Sequence, residues 1–211
     1  MLASIIIGSC SIRKKLPSGA YLYNGAKATI QKTPDNHKKS KPIRKTLEKI
    51  SFPKKNKMIL GFPYKVAFWY MIGEPKKQKG FHYWLRNRLG EPPVLSTRVD
   101  LQANANSMQA YLENKGYFKS IVGASQKTKG YKMTALYKAK VPRPYTIDST
   151  KWILDTSAEL SKSILSNKQK KRYVKKGDQF DLENIKADRN RVDLYLKRKG
   201  YYFFSPDYIK D

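Results

Sequence analysis

The chain has 211 residues, 40% of them hydrophobic and 12% aromatic, enough for one or two small cored domains and too much for a fully disordered chain. Its 44 Lys+Arg against 16 Asp+Glu give a formal net charge of +28. That field attracts polyanions (nucleic acid, anionic lipid headgroups or lipopolysaccharide phosphates), unless the lysines serve solubility alone. One cysteine excludes a disulfide within the chain, and two histidines leave little basis for a Cys/His zinc site.

Met1 to Ile7 is apolar or small, and Arg13-Lys14-Lys15 follows soon after. The apolar run is too short to span a bilayer but has the length of a signal-peptide core. Ile7-Gly8-Ser9-Cys10 has the form of a bacterial lipoprotein cleavage box: an aliphatic residue, two small ones, then the thiol that carries the lipid. Residues 1–9 are thus expected to be a residual signal peptide, Cys10 the lipidation site and 10–24 a linker. The alternative is an incidental thiol in a short N-terminal strand. No Lys or Arg precedes the apolar run, as a signal peptide would require, so the natural start is expected upstream.

A first unit is expected over 25–143. Ala26 to Gln31 reads as a strand, and Ile43, Leu47 and Ile50 mark a helix opened by Pro42. An insertion follows at about 52–88, where aromatic segments alternate with basic ones. Its Phe68, Trp69, Tyr70 and Trp84 suit a membrane interface or a partner groove. They would also stack nucleic-acid bases, or complete the core as an extra amphipathic helix. A second helix, with Thr97 in the N-cap place, carries an apolar stripe of Leu101, Met108, Tyr111 and Leu112 and ends at Gly116. Strands are expected over Tyr117–Ser125 and Tyr131–Lys140, joined near Lys129-Gly130.

A second unit is expected over 144–211. Tyr145 to Leu154 reads as a strand, and Leu160 and Ile164 mark a helix from near Ser157. A second helix, capped by Asp181, runs to Gly200, and Tyr201-Tyr202-Phe203-Phe204 reads as a strand. Ile185, Val192, Tyr195 and Leu196 precede Gly200 at the distances at which Leu101, Met108, Tyr111 and Leu112 precede Gly116. Both stretches open on Gly-acid and close on Lys-Gly-Tyr-aromatic, the mark of an internal repeat. The fold class that follows is α+β: tandem strand-helix-helix-strand-strand units, the second incomplete.

That order, with Gly177-Asp178-Gln179-Phe180-Asp181 before a helix and Lys199-Gly200-Tyr201 after it, resembles the POTRA domain. Gly90 to Phe118 is a looser match, with Pro92-Pro93 in place of the polar-aromatic pair. With the lipobox-like Cys10, Leu16-Pro17-Ser18-Gly19-Ala20-Tyr21-Leu22 and Gly90-Glu91-Pro92-Pro93-Val94, the chain is similar to TamA-like lipoproteins of Bacteroidota, in the BamA/TamA outer-membrane assembly superfamily. The resemblance implies a lipid-anchored arm on the periplasmic side of the outer membrane. It also implies a C-terminal transmembrane β-barrel beyond residue 211, unfolded outer-membrane protein clients and a TamB-like partner.

The mechanism open to such a unit is β-augmentation, in which an unpaired sheet edge accepts an extended client. Tyr117, Phe118 and Ile121, or Tyr201, Tyr202 and Phe203, are the candidate edge residues, and an anionic membrane surface is a further candidate partner. The competing reading is a basic RNA- or DNA-binding protein, for which no RNP, zinc-finger or helix-turn-helix signature is present. No catalytic, metal or cofactor residues emerge. His37 and His82 have no paired nucleophile or ligand spacing, and no glycine-rich phosphate loop occurs.

Overall fold

The structure is a computed structural model and describes residues 12–31, 40–154, 159–167 and 172–209. Cys10, His37 and the helix start near Ser157 lie outside the described residues. In chain order the elements are β1 (Leu22–Ile30), α1 (Ser40–Ile50), α2 (Tyr64–Ile72), α3 (Phe81–Leu89), α4 (Leu101–Asn114), β2 (Ile121–Lys129), β3 (Lys132–Lys140), α5 (Glu159–Asn167) and α6 (Leu182–Arg198). The chain divides into two compact units, one of Met1–Met108 with Ile121–Lys140 and one of Gln109–Ser120 with Val141–Asp211.

The first unit is α+β around a mixed three-stranded sheet of order β1-β3-β2, with β1 parallel and β2 antiparallel to the central β3. β3 alternates strictly: Met133, Ala135, Tyr137 and Ala139 are buried, and the residues between them face outward. Gly130, at φ 59°, opens the two-residue turn that folds β2 back onto β3. Parallel β1 and β3 need a crossover, which the helical stretch between them supplies. α1 buries Ile43 and Leu47, one turn apart, and lies on β1.

β1 starts before the expected Ala26. Gly25, at φ 96°, absorbs a bulge between Tyr23 and Ala26, and the Asn24 side chain donates to Thr134 Oγ1 at 3.1 Å. Gly25 therefore lies inside the strand.

The insertion is tied down by two buried asparagines. Asn104 accepts from the Phe52 N–H at 2.7 Å and donates to the Phe52 carbonyl at 2.6 Å. Asn56, fully buried, donates to the Pro92 carbonyl and accepts from the Val94 N–H, both at 2.8 Å. Each amide side chain stands in for a missing strand partner, so irregular backbone stays satisfied. Within the insertion α2 contributes Val66 to a cluster with Ile12 and Leu22, whereas α3 buries nothing fully.

The two repeated helices stop in the same way. Tyr117 N–H donates to Leu112 O at 2.9 Å and Gly116 N–H to Glu113 O at 2.9 Å. Tyr201 N–H donates to Leu196 O and Gly200 N–H to Lys197 O, both at 3.1 Å. Both are Schellman ends on a left-handed glycine, at φ 85° and 95°. The stripes match too: Met108, Leu112, Val192 and Leu196 are buried, and Leu101, Tyr111, Ile185 and Tyr195 half-buried. The starts differ. Asp181 caps α6, accepting from Glu183 N–H at 3.0 Å, but Thr97 sits in a 3-10 turn over Ser96–Arg98. α4 begins later, where Asp100 accepts from Ala103 N–H at 2.8 Å, so Asp100 replaces Thr97 as the cap.

In the second unit α5 and α6 enclose Ile164, Val192 and Leu196, with Trp152, Leu154 and Tyr201 packed against them. Two expected strands are corrected. Tyr145 to Leu154 makes a single bridge, Thr146 with Gln179. Tyr201–Phe204 is a turn: Tyr202 N–H donates to Gly200 O and Phe204 N–H to Tyr201 O, and Ser205 then caps a 3-10 turn over Pro206–Tyr208. Aromatic residues favour strands only where a neighbouring strand supplies hydrogen bonds, and the described residues of this unit offer none.

Candidate interaction surfaces

The sheet has two edges, and they differ. Along β1, Tyr23 N–H donates to Val94 O at 2.8 Å, and Ser96 N–H to Tyr21 O at 2.8 Å. Farther along, Ala28 N–H donates to Glu48 Oε1 of α1 at 3.1 Å. Val94–Ser96 and α1 thus cover that side. On β2 no described residue pairs with the outer side. The tight turn makes Lys129 and Lys132 a hydrogen-bonded pair, so alternation turns the backbone groups of Val122, Ala124, Gln126 and Thr128 away from β3. From Ile121 to Gln126 this edge carries no charge and three small residues, Gly123, Ala124 and Ser125. Lys127 and Lys129 guard only its far end, the usual device against unwanted pairing.

Of the expected edge residues, Ile121 opens β2 and is 63% exposed. Tyr117 and Phe118 precede the strand, because Gly116 and a Ser120-to-Tyr117 hydrogen bond at 3.0 Å spend those residues on a turn. Tyr117 is buried, which raises its hydroxyl above the usual tyrosine range. The Phe118 ring meets Tyr145 and Phe180 edge-on at 5.3 and 4.9 Å. Beside it, Lys115 Nζ donates to both Asp181 oxygens at 2.8 and 2.7 Å, while Gln179 Nε2 donates to Lys115 O at 2.6 Å. Tyr201, Tyr202 and Phe203 line an open apolar cleft of about 800 Å³ with Trp152, Leu160 and Ile164.

The hairpin of α2 and α3 gathers the other expected contact residues. Trp69 and Tyr70 are half-buried: the Arg86 guanidinium lies 3.7 Å over the Trp69 ring, and Lys15 Nζ donates to Tyr70 O at 2.7 Å. Phe68 and Trp84 are exposed, and Trp84 stacks on Phe81 at 5.8 Å. His82 Nε2 donates to the Ile72 carbonyl at 2.8 Å, which closes the hairpin and gives this histidine a structural partner. Among the described residues no three His, Cys, Asp or Glu side chains group to hold a metal, and no helix is long and apolar enough to cross a membrane. Sequence reasoning missed the sealing of β1 by Val94–Ser96, which depends on Asn56 and has no periodic signal.

No protein-family model and no curated protein matches the chain. A solved structure described as the crystal structure of Haemophilus Influenzae BamA POTRA3-5 aligns with 89% of the chain at 15% identity and a TM-score of 0.37, and the chain spans 59% of its length.

Proposed function

We propose that this chain is a non-catalytic binding module whose β2 edge pairs with an extended segment of a client polypeptide. The observation that carries the reading is the asymmetry of the sheet: among the described residues β1 is sealed by Val94–Ser96 and Glu48, and β2 is open. Main-chain pairing gives affinity with little demand on client sequence, and Gly123, Ala124 and Ser125 let another backbone approach. The strand order of the first unit and the motifs that resemble POTRA domains support the wider reading. The module is then a lipid-anchored periplasmic arm of an outer-membrane protein assembly factor, attached through Cys10, with unfolded outer-membrane proteins as clients and a TamB-like partner. The exposed surface of α2 and α3 around Phe68 and Trp84 is assigned to the membrane interface.

The test is photocrosslinking of the full chain to a peptide of alternating apolar and polar residues, the pattern of an outer-membrane strand. Gln126→Pro deletes an outward N–H and leaves the β3 ladder intact, so crosslinking falls while the thermal midpoint stays. Ser125→Pro, at an inward position, lowers the midpoint as well. Unchanged crosslinking in Gln126→Pro removes the proposal, and a tight, steeply salt-dependent affinity for RNA in its place favours a nucleic-acid partner.

A further inference from the structure

The register places Lys27, Lys127, Lys129, Lys132, Lys138 and Lys140 on the sheet face opposite buried Met133, Ala135, Tyr137 and Ala139. One end of that face is hollowed into an open groove of about 790 Å³, lined by Arg13, Lys27, Lys127, Lys129 and Lys132 together with Asn24 and Thr134. Among the described residues no carboxylate lines it. Among the described residues Arg13, Lys27, Lys127 and Lys129 have no ion-pair partner. Cations gathered without counter-charge repel one another and weaken the fold, so the arrangement is costly until an anion enters.

A second feature lies at the rim. Lys132 Nζ donates to the Gly61 carbonyl at 2.6 Å, which ties the groove to a tight turn. In that turn Ile59 N–H donates to Phe62 O at 2.9 Å and Phe62 N–H to Ile59 O at 2.8 Å. Leu60 and Gly61 are both left-handed, at φ 48° and 76°. Such turns take Asn, Asp or Gly at the first position, because a branched side chain is strained there. Here a leucine holds it, 95% exposed, and Ile59 beside it is 58% exposed. The strained position presents an apolar tip to solvent, next to a cationic groove.

We infer that this end of the first unit docks on an anionic lipid bilayer, with the groove receiving headgroup phosphates and Leu60 and Ile59 entering the acyl boundary. Charge complementarity selects a phosphate-bearing partner, and the apolar tip selects a lipid over a nucleic acid, which has phosphates but no use for Leu60. This inference is independent of client pairing at β2.

The test uses the full chain with sedimenting vesicles, either pure phosphatidylcholine or with roughly one-third phosphatidylglycerol. Binding is expected to the anionic vesicles only. Lys27→Gln, Lys127→Gln and Lys129→Gln together lower it on the order of a hundredfold, at about fivefold per charge. Leu60→Gly relieves the turn, so the thermal midpoint holds or rises. The same variant lowers vesicle binding about tenfold, the share of one inserted leucine, and leaves binding of a short single-stranded RNA unchanged. Equal binding to both vesicle types overturns the inference. So does undiminished vesicle binding by Leu60→Gly, and so does RNA binding tighter than vesicle binding.

Discussion

Gly116 and Gly200 occupy the same place in the two repeated helix ends, yet alanine should be tolerated very differently at the two. Both have positive φ, 85° and 95°, so each substitution incurs the left-handed cost of a Cβ, about 1–2 kcal/mol. At Gly200 a Cβ meets nothing within 4 Å, and the loss should stop near that value. At Gly116 a Cβ would lie 2.9 Å from the Phe180 carbonyl oxygen, 3.0 Å from Phe180 Cβ and 3.3 Å from the Tyr145 carbonyl oxygen. Two of these are backbone atoms, held by hydrogen bonds from Tyr145 N–H to Gly116 O at 2.8 Å and from Phe180 N–H to Tyr145 O at 2.9 Å. Overpacking of that kind adds about 1–3 kcal/mol, so Gly116→Ala should cost about 2–5 kcal/mol in all. Equilibrium urea unfolding followed by far-ultraviolet circular dichroism measures both variants. Equal losses, or a neutral Gly116→Ala, would refute the packing of the first Lys-Gly-Tyr end against the Gly177–Asp181 segment.

Asn56→Ala leaves the Pro92 carbonyl and the Val94 N–H without partners in a fully buried place. It should cost about 2–4 kcal/mol in urea unfolding and speed amide exchange at Tyr23, whose N–H is held by Val94. Burial raises the hydroxyls of Tyr23, Tyr70, Tyr117 and Tyr137 above the ordinary tyrosine value. The unfolded chain therefore loses those protons first as pH rises. Stability should be level below about pH 9 and fall as pH climbs through about 10 and beyond, which urea midpoints across that range will record. The Tyr137 hydroxyl is buried without a hydrogen bond of ordinary geometry, so Tyr137→Phe should hold or raise stability at neutral pH and reduce the alkaline loss.

What could be read from the sequence was whatever repeats at short range. The stripes of α4 and α6, the glycine stops and the Asp181 cap follow from local spacing, and the structure reproduces them. Thr97 failed as a cap because a 3-10 turn intervenes, and Asp100 did its work three residues after the position that matches Asp181. Tyr201–Phe204 has strand composition, but the described residues offer it no strand to pair with, and composition does not reveal that lack. The edge order β1-β3-β2 and the basic groove join residues as distant as Arg13 and Lys132, so neither has a period to detect.

Sealing one side of the sheet also limits how far pairing can spread. A molecule whose two edges were both bare could pass hydrogen bonding from neighbour to neighbour and grow into a fibre. With Val94–Ser96 and Glu48 standing along β1, each molecule can add a single guest strand at β2, and two copies that met through β2 would stop at a closed pair.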